Sequence, residues 1–139
     1  MDTKKRNVVV SLLSAVLVSI WFYDQYDLVD KTDAVQIGQF LLKAIGLGIL
    51  FSITAAIVTT VFVAIVWGGL EKSVFDERDK LIELYVMRVI LVVFSIGFVI
   101  TLGLVGWYSL SMNMAMIVLF ICMYGANVLG ELVKYYWYR

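Results

Sequence analysis

The stretch FLLKAIGLGILFSITAAIVTTVFVAIVWGGL, residues 40–70, decides the fold class, because it is apolar throughout and carries a single charged side chain, Lys43. About 20 consecutive apolar residues cross the ~30 Å hydrocarbon core of a bilayer as a helix. The whole chain is 63% hydrophobic and 16% charged, whereas soluble domains average about 45–50% and about 25%. A water-soluble protein of 139 residues could not bury so much apolar surface. The sequence therefore predicts an integral membrane protein.

Three further apolar stretches accompany this one. Together they predict transmembrane spans at about residues 8–23, 40–70, 81–108 and 113–133. The chain contains no proline, so none of these helices is kinked by that residue. We therefore expect a single transmembrane domain over residues 1–139, all-α in class: a polytopic membrane protein folded as a compact bundle of four transmembrane helices.

The Lys and Arg residues that flank the spans predict their orientation. Of the 11 basic residues, only Lys31 and Lys43 lie on one side of the predicted membrane, in or near a segment rich in aspartate. The remainder lie at the two termini, between the second and third spans and, in the case of Arg88, at the mouth of the third span. Because cytoplasmic segments carry the excess of Lys and Arg, both termini and the central connection are predicted to be cytoplasmic.

A charged cluster occupies this central connection: Asp76, Glu77, Arg78, Asp79 and Lys80. Ser73, followed three residues later by Asp76, resembles a capping box and predicts that a helix begins there. The cluster is interpreted either as a solvated loop that fixes the topology or as a surface on which a partner docks.

Small residues recur at every fourth position of the second span and form a helix-packing ridge: Ala44, Gly48, Ser52, Ala56, Thr60, Ala64 and Gly68. In a membrane, helices associate where small residues let two backbones approach. A shorter row, Ser11, Ala15 and Ser19, lies on the first span. The ridge predicts packing within the bundle, self-association of two chains, or a pore lined by Ser52, Thr59 and Thr60.

Four polar residues lie near the predicted cytoplasmic ends of the third and fourth spans: Arg88, Asn127, Glu131 and Lys134. Ionisable residues at membrane depth are candidates for function. A salt bridge between Arg88 and Glu131 would spare both charges an unpaired position in a medium of low dielectric constant. We expect a polar clamp that is either structural or part of a binding or gating site.

Several kinds of chemistry are disfavoured by composition. The chain has no histidine and one cysteine, Cys122, which excludes histidine-based catalysis, haem ligation by histidine and cysteine-based zinc clusters. Met112, Met114 and Met116 suit Cu(I) as ligands, but on a helix Met114 points away from the other two. We expect no cofactor and no enzymatic activity. The net charge of zero argues against nucleic acid as a partner.

The segments DERDKLIEL, residues 76–84, and GELVKYYWYR, residues 130–139, resemble those of a loose group of uncharacterised small bacterial and archaeal multi-span membrane proteins. The resemblance covers roughly the C-terminal half. It implies a location in the bacterial or archaeal cytoplasmic (inner) membrane, and it implies that Asp76 to Asp79, Glu131 and Lys134 lie together on the cytoplasmic side. No activity accompanies it.

The function expected from the sequence is that of a non-enzymatic membrane subunit or regulator. It would act through helix–helix contacts and through its charged cytoplasmic face, with membrane lipids and either a second copy of the chain, as a dimer, or another membrane protein as partners. The alternative is a small dimeric transporter or ion channel.

Overall fold

Four α-helices make up the described part of the chain. The computed structural model of the protein describes residues 3–67 and 76–138, and the helices are α1 (Thr3–Tyr26), α2 (Ala34–Trp67), α3 (Glu77–Tyr108) and α4 (Met112–Trp137). Each is long and apolar enough to cross a membrane. This confirms the prediction of an all-helical chain with four helices of transmembrane length.

Every helix extends beyond the span predicted for it. At about 1.5 Å per residue, the 34 residues of α2 and the 32 residues of α3 exceed what a perpendicular crossing needs. The last residues of the predicted second span, 68–70, lie outside the described residues. The apolar interior of each helix was found from the sequence, whereas the residues at one or both of its ends were not counted as part of the span.

The start of α3 corrects the capping prediction. Asp76 is the N-cap, with an extended backbone (φ −87°, ψ 159°), and its carboxylate accepts a hydrogen bond from the backbone N–H of Glu77 at 2.7 Å. Asp79 completes a capping box, because its carboxylate accepts from the backbone N–H of Asp76 at 3.0 Å. An extended Asp76 cannot be the third residue of a helix capped by Ser73. The box observed in the structure therefore begins at Asp76, and Ser73, where it was predicted to begin, lies outside the described residues.

Polar side chains also fix the starts of α2 and α4. Asp33 precedes α2 and accepts from the backbone N–H of Val35 at 2.9 Å, while Ser111 caps α4. The Asn113 side chain donates to the backbone carbonyls of Lys31 at 3.3 Å and Thr32 at 2.9 Å. The connection between α1 and α2 is thereby attached to the first turn of α4.

The packing is more open than the compact bundle predicted. α4 contacts each of the other three helices, and α1, α2 and α4 are in mutual contact. Among the described residues, α3 contacts α4 and neither α1 nor α2. α3 is therefore attached to one side of a three-helix group, and its other faces remain exposed.

Two glycines explain why α3 and α4 pack so closely. A Cβ atom placed on Gly97 of α3 would lie 2.7 Å from the Cβ of Cys122, and one placed on Gly130 of α4 would lie 2.6 Å from side-chain atoms of Ile90. Both distances are far below the ~3.5–4.0 Å optimum for carbon atoms. Only glycine permits this separation between the two helices.

Candidate functional site: a polar cavity between α1, α2 and α4

A cavity of about 370 Å³ lies where α1, α2 and α4 meet. Its wall is mixed: apolar side chains and small residues surround a group of polar side chains contributed by all three helices. The polar members are Ser11, Ser14, Ser52, Tyr124, Asn127 and Glu131. Concave, mainly apolar sites with a few convergent polar groups are the usual form of a small-molecule site. We therefore take this cavity as the candidate site.

Aromatic rings of α1, α2 and α4 pack together, and two of them, Phe120 and Tyr124, line the cavity. Phe22 of α1 lies 4.8 Å from the ring centroid of Phe40 on α2 and 5.4 Å from that of Phe120 on α4. Phe120 in turn stacks on Tyr124 at 6.0 Å. Since aromatic side chains bury large apolar areas, this cluster holds the three helices together.

Hydrogen bonds orient the hydroxyl groups around the cavity. The Tyr124 hydroxyl donates to the backbone carbonyl of Ala15 at 2.6 Å, linking α4 to α1. The hydroxyl oxygens of Ser14 and Ser52 are 3.2 Å apart, and the Ser14 hydroxyl also donates to the backbone carbonyl of Ser11 at 2.8 Å. Because a hydroxyl has one proton to give, Ser52 is the donor of the bond between α1 and α2.

Asn127 and Glu131 bring an amide and a carboxylate to the cavity from adjacent turns of α4. The Asn127 side-chain N–H group donates to the carbonyl of Met123 at 2.8 Å, so its oxygen remains available to accept. Glu131 is half-buried, and within residues 3–67 and 76–138 its carboxylate has neither a hydrogen bond nor an ion pair within 4.0 Å. A carboxylate placed in this way is the chemically distinctive group of the site.

The predicted polar clamp is wrong in its pairing. Val86 and Ile90 lie on the face of α3 that packs against Gly130, so Arg88, two residues from each, points away from α4 and is exposed. No bond between Arg88 and Glu131 forms in the described part of the chain. Lys134 instead lies 3.6 Å from Glu83 of α3. Of the four predicted residues, only Asn127 and Glu131 line the cavity.

The charged cluster at the start of α3 lies against the end of α4. The Arg78 guanidinium donates to the backbone carbonyl of Trp137 at 3.4 Å, and the ring of Tyr85 meets that of Trp137 edge-on at 5.7 Å. A cation at the C-terminal end of a helix is favourable because the last carbonyls carry partial negative charge.

Within this cluster the side chains differ in burial. Asp79 is buried, with 3% of its surface exposed, whereas Asp76, Glu77, Arg78 and Lys80 are exposed. The two segments that carry the sequence resemblance, residues 76–84 and 130–139, lie beside each other in the fold because the start of α3 packs against the end of α4.

The helix-packing ridge divides into two parts. Ala44 is buried, Gly48 faces Val18 of α1, and Ser52 lines the cavity. Beyond Ser52 the ridge changes character: Ala56 and Thr60 are exposed and Ala64 is half-buried, while Gly68 lies outside the described residues. The first half of the ridge packs within the chain, whereas Ala56, Thr60 and Ala64 are not buried against another helix in the described part of the chain.

The threonines proposed to line a pore satisfy their hydroxyl groups within α2. Thr59 donates to the carbonyl of Ala55 at 2.8 Å, and Thr60 donates to that of Ala56 at 2.7 Å. Only Ser52 of the three suggested pore residues lines the cavity.

Sequence reasoning missed two of the polar residues of the site, Ser14 and Tyr124. Ser14 falls outside the four-residue row of Ser11, Ala15 and Ser19, and nothing in the sequence links Tyr124 to Ala15. Met112, Met114 and Met116 lie at the start of α4, and among the described residues no group of three or more His, Cys, Asp or Glu could hold a metal ion.

Comparison with protein-family models, with curated proteins and with solved structures finds no significant match to the chain. The resemblance of residues 76–84 and 130–139 to small prokaryotic membrane proteins stays a prediction. The class that the fold defines is a helical protein with four helices able to span a membrane.

Proposed function

We propose that this chain is a non-enzymatic subunit or regulator in the cytoplasmic (inner) membrane of a bacterium or archaeon, with both termini in the cytoplasm. It acts through helix–helix contacts inside the bilayer and through the charged face at the start of α3. Its partners there are lipids and either a second copy of the chain or another membrane protein.

The observation that carries this proposal is the C-terminal half of α2. From Ile53 to Val66 no side chain is buried, although Ala56, Thr60 and Ala64 continue the small-residue ridge. Leu-rich surface is satisfied by lipid, whereas small residues gain most by letting a second helix approach. A face of this kind, in a chain that also carries an exposed charged cluster at the start of α3, supports a role in contact with another protein.

The first test is the intact mass of the protein, extracted gently from its native membrane. A complex with a different membrane protein would support the subunit role and identify the partner. A homodimer would support self-association through α2, and a bare monomer would contradict both forms of the proposal.

A substitution pair tests the contribution of the exposed half of α2. Replacing Ala56 and Ala64 by leucine is expected to dissociate the complex, because two bulky side chains then stand on the ridge. Val58→Leu is the matched control, since Val58 is exposed and lies on the opposite side of the helix at 100° per residue. Equal assembly of the two variants would remove α2 from the interface.

Cysteine labelling tests the orientation. Cys122 is the single cysteine, so Cys122→Ser gives a background into which one cysteine at a time is placed. Cysteines in residues 24–36 are expected to react with an impermeant reagent in intact cells, and cysteines in residues 71–80 only after lysis. The reverse pattern would place both termini outside.

The transporter alternative is favoured by a separate observation, the carboxylate-bearing cavity. Polar residues at membrane depth mark substrate pathways in many transporters, and Glu131 holds such a place. If the extracted mass is that of a homo-oligomer alone, flux measurements in liposomes with wild type and Glu131→Gln become the deciding experiment.

A further inference from the structure

The cavity between α1, α2 and α4 has an acidic lining. Glu131 contributes the one carboxylate, and no Lys or Arg is found among the described residues that line the cavity. Lys134, the nearest basic residue along α4, attracts the Glu131 carboxylate electrostatically without forming an ion pair with it within 4.0 Å, and its ammonium group lies 3.6 Å from the carboxylate of Glu83 on the α3 side. A cationic partner strongly favours the charged form of a carboxyl group that lies in a medium of low dielectric constant.

We propose that this cavity binds a compact organic ammonium ion, with Glu131 as its counter-ion. The ion enters among Ser11, Ser52 and Asn127 and lies against the ring of Tyr124. The proposal does not rest on the subunit role, because a chain with or without a protein partner keeps the same cavity.

The size of the cavity favours an organic cation over a metal ion. A volume of about 370 Å³ falls within the ~300–1,000 Å³ of small-molecule sites. A hard metal ion needs several oxygen ligands converging at ~2.0–2.6 Å. Here a single carboxylate faces a wide, mainly apolar space, which an ammonium ion with hydrocarbon substituents fills.

Aromatic rings supply the second part of the recognition. Tyr124 and Phe120 line the cavity together with Met123, and the Tyr124 hydroxyl is held by the carbonyl of Ala15 at 2.6 Å. The ring of Tyr124 is therefore fixed beside the space that an ion would occupy. A cation over an aromatic face within about 6 Å is attracted by the ring quadrupole, and the attraction strengthens when water is excluded.

The test measures binding of radiolabelled tetraethylammonium by the purified full chain. The protein is placed in nanodiscs of phosphatidylcholine, so that the lipid surface carries no net negative charge, and empty nanodiscs give the background. Wild type is expected to bind saturably, and an equimolar amount of sodium chloride is expected to leave the bound fraction unchanged. No saturable binding above background, or displacement by equimolar sodium, overturns the proposal.

Two variants assign the binding to the cavity. Glu131→Gln is expected to weaken binding about tenfold or more, since it removes the counter-ion at low dielectric. Glu77→Gln, the matched loss of one charge at an exposed residue outside the cavity, is expected to bind as wild type does. Wild-type affinity in Glu131→Gln, or an equal loss in both variants, contradicts the assignment.

Ser52→Leu keeps the proposal testable if Glu131→Gln does not fold. It places a bulky apolar side chain in the cavity from α2 and leaves Glu131 in place. Helix content measured by circular dichroism identifies the folded variants. Loss of binding in a folded Ser52→Leu supports the site, and unchanged affinity overturns it independently of the mass measurement that tests the subunit role.

Discussion

Gly97→Ala tests the close approach of α3 and α4, which holds α3 to the rest of the protein. The added methyl group would lie 2.7 Å from the Cβ and 2.8 Å from the Sγ of Cys122. Sγ can rotate away, but the Cβ of Cys122 is fixed to the backbone of α4. The two helices must therefore separate by about 1 Å to restore an ordinary carbon–carbon distance.

The expected destabilisation follows from this overlap. Adding a methylene to a well-packed contact costs about 1–3 kcal/mol, whereas replacing glycine by alanine within a helix gains up to about 1 kcal/mol in propensity. Gly106→Ala on the same helix isolates the second effect, because nothing lies within 4 Å of its added Cβ. We expect Gly97→Ala to be less stable than Gly106→Ala by about 1–3 kcal/mol.

The assay is unfolding of the purified protein from mild detergent by increasing mole fractions of sodium dodecyl sulfate, followed by circular dichroism. Cys122→Gly supplies a second-site test: with the opposing Cβ and Sγ removed, the remaining contact of the new methyl group is with the Cα at 3.9 Å, an ordinary distance. The double variant should show a favourable coupling energy in a double-mutant cycle. Equal stability of Gly97→Ala and Gly106→Ala, or no coupling to Cys122→Gly, would refute the reasoning.

Three further predictions concern the polar ends of the helices. Asp76→Ala should lower the unfolding free energy by about 1 kcal/mol more than Glu77→Ala, because both remove one charge and only Asp76 caps α3; equal losses in the same assay would contradict the cap. Asn113→Ala should speed deuterium uptake of residues 27–33, since it removes the bonds to the carbonyls of Lys31 and Thr32; unchanged uptake would mean that the connection is held by other contacts. Hydrogen bonds from the Thr32 hydroxyl and backbone N–H lower the pKa of Asp30, so this contribution to stability is present above the unfolded-state pKa and lost as the pH falls through the folded-state pKa. Thr32→Val should raise the pKa of Asp30 toward its ordinary value in an NMR titration, and an unchanged titration curve would contradict the assignment.

The open arrangement of the helices gives the protein two separate kinds of surface, a cavity and long exposed helix faces. α4 lies at the centre and uses one face for α3, through Gly130 and Cys122, and another for the cavity, through Tyr124 and Glu131. The remaining long faces of α2 and α3 are exposed. Binding of a small cation and contact with another chain would therefore use different surfaces and could be measured separately.

The number and approximate position of the helices were predictable from the sequence because they depend on local composition. Runs of apolar residues long enough to cross a bilayer can be counted without knowing what they touch. The helical continuation of α1 into Thr3–Asn7 was missed, since Lys4, Lys5 and Arg6 carry charges that a search for apolar spans excludes. The charged start of α3 was predicted to be helical from its capping pattern. The capping residue was misplaced by three positions because both Ser73 and Asp76 are followed at that spacing by an aspartate.

What the sequence determined by itself is the helical class, the four helices of membrane-spanning length and the small-residue periodicity of α2. These depend on side-chain size and polarity within one helix. Only the tertiary structure decided the partners: Lys134 with Glu83 instead of Glu131, Arg88 turned away from α4, and Ser14, Ser52 and Tyr124 brought to one cavity. The periodicity of one helix says which residues share a face, but which helix meets that face depends on interhelical packing, and at Gly97 and Gly130 that packing is set by the absence of a single carbon atom.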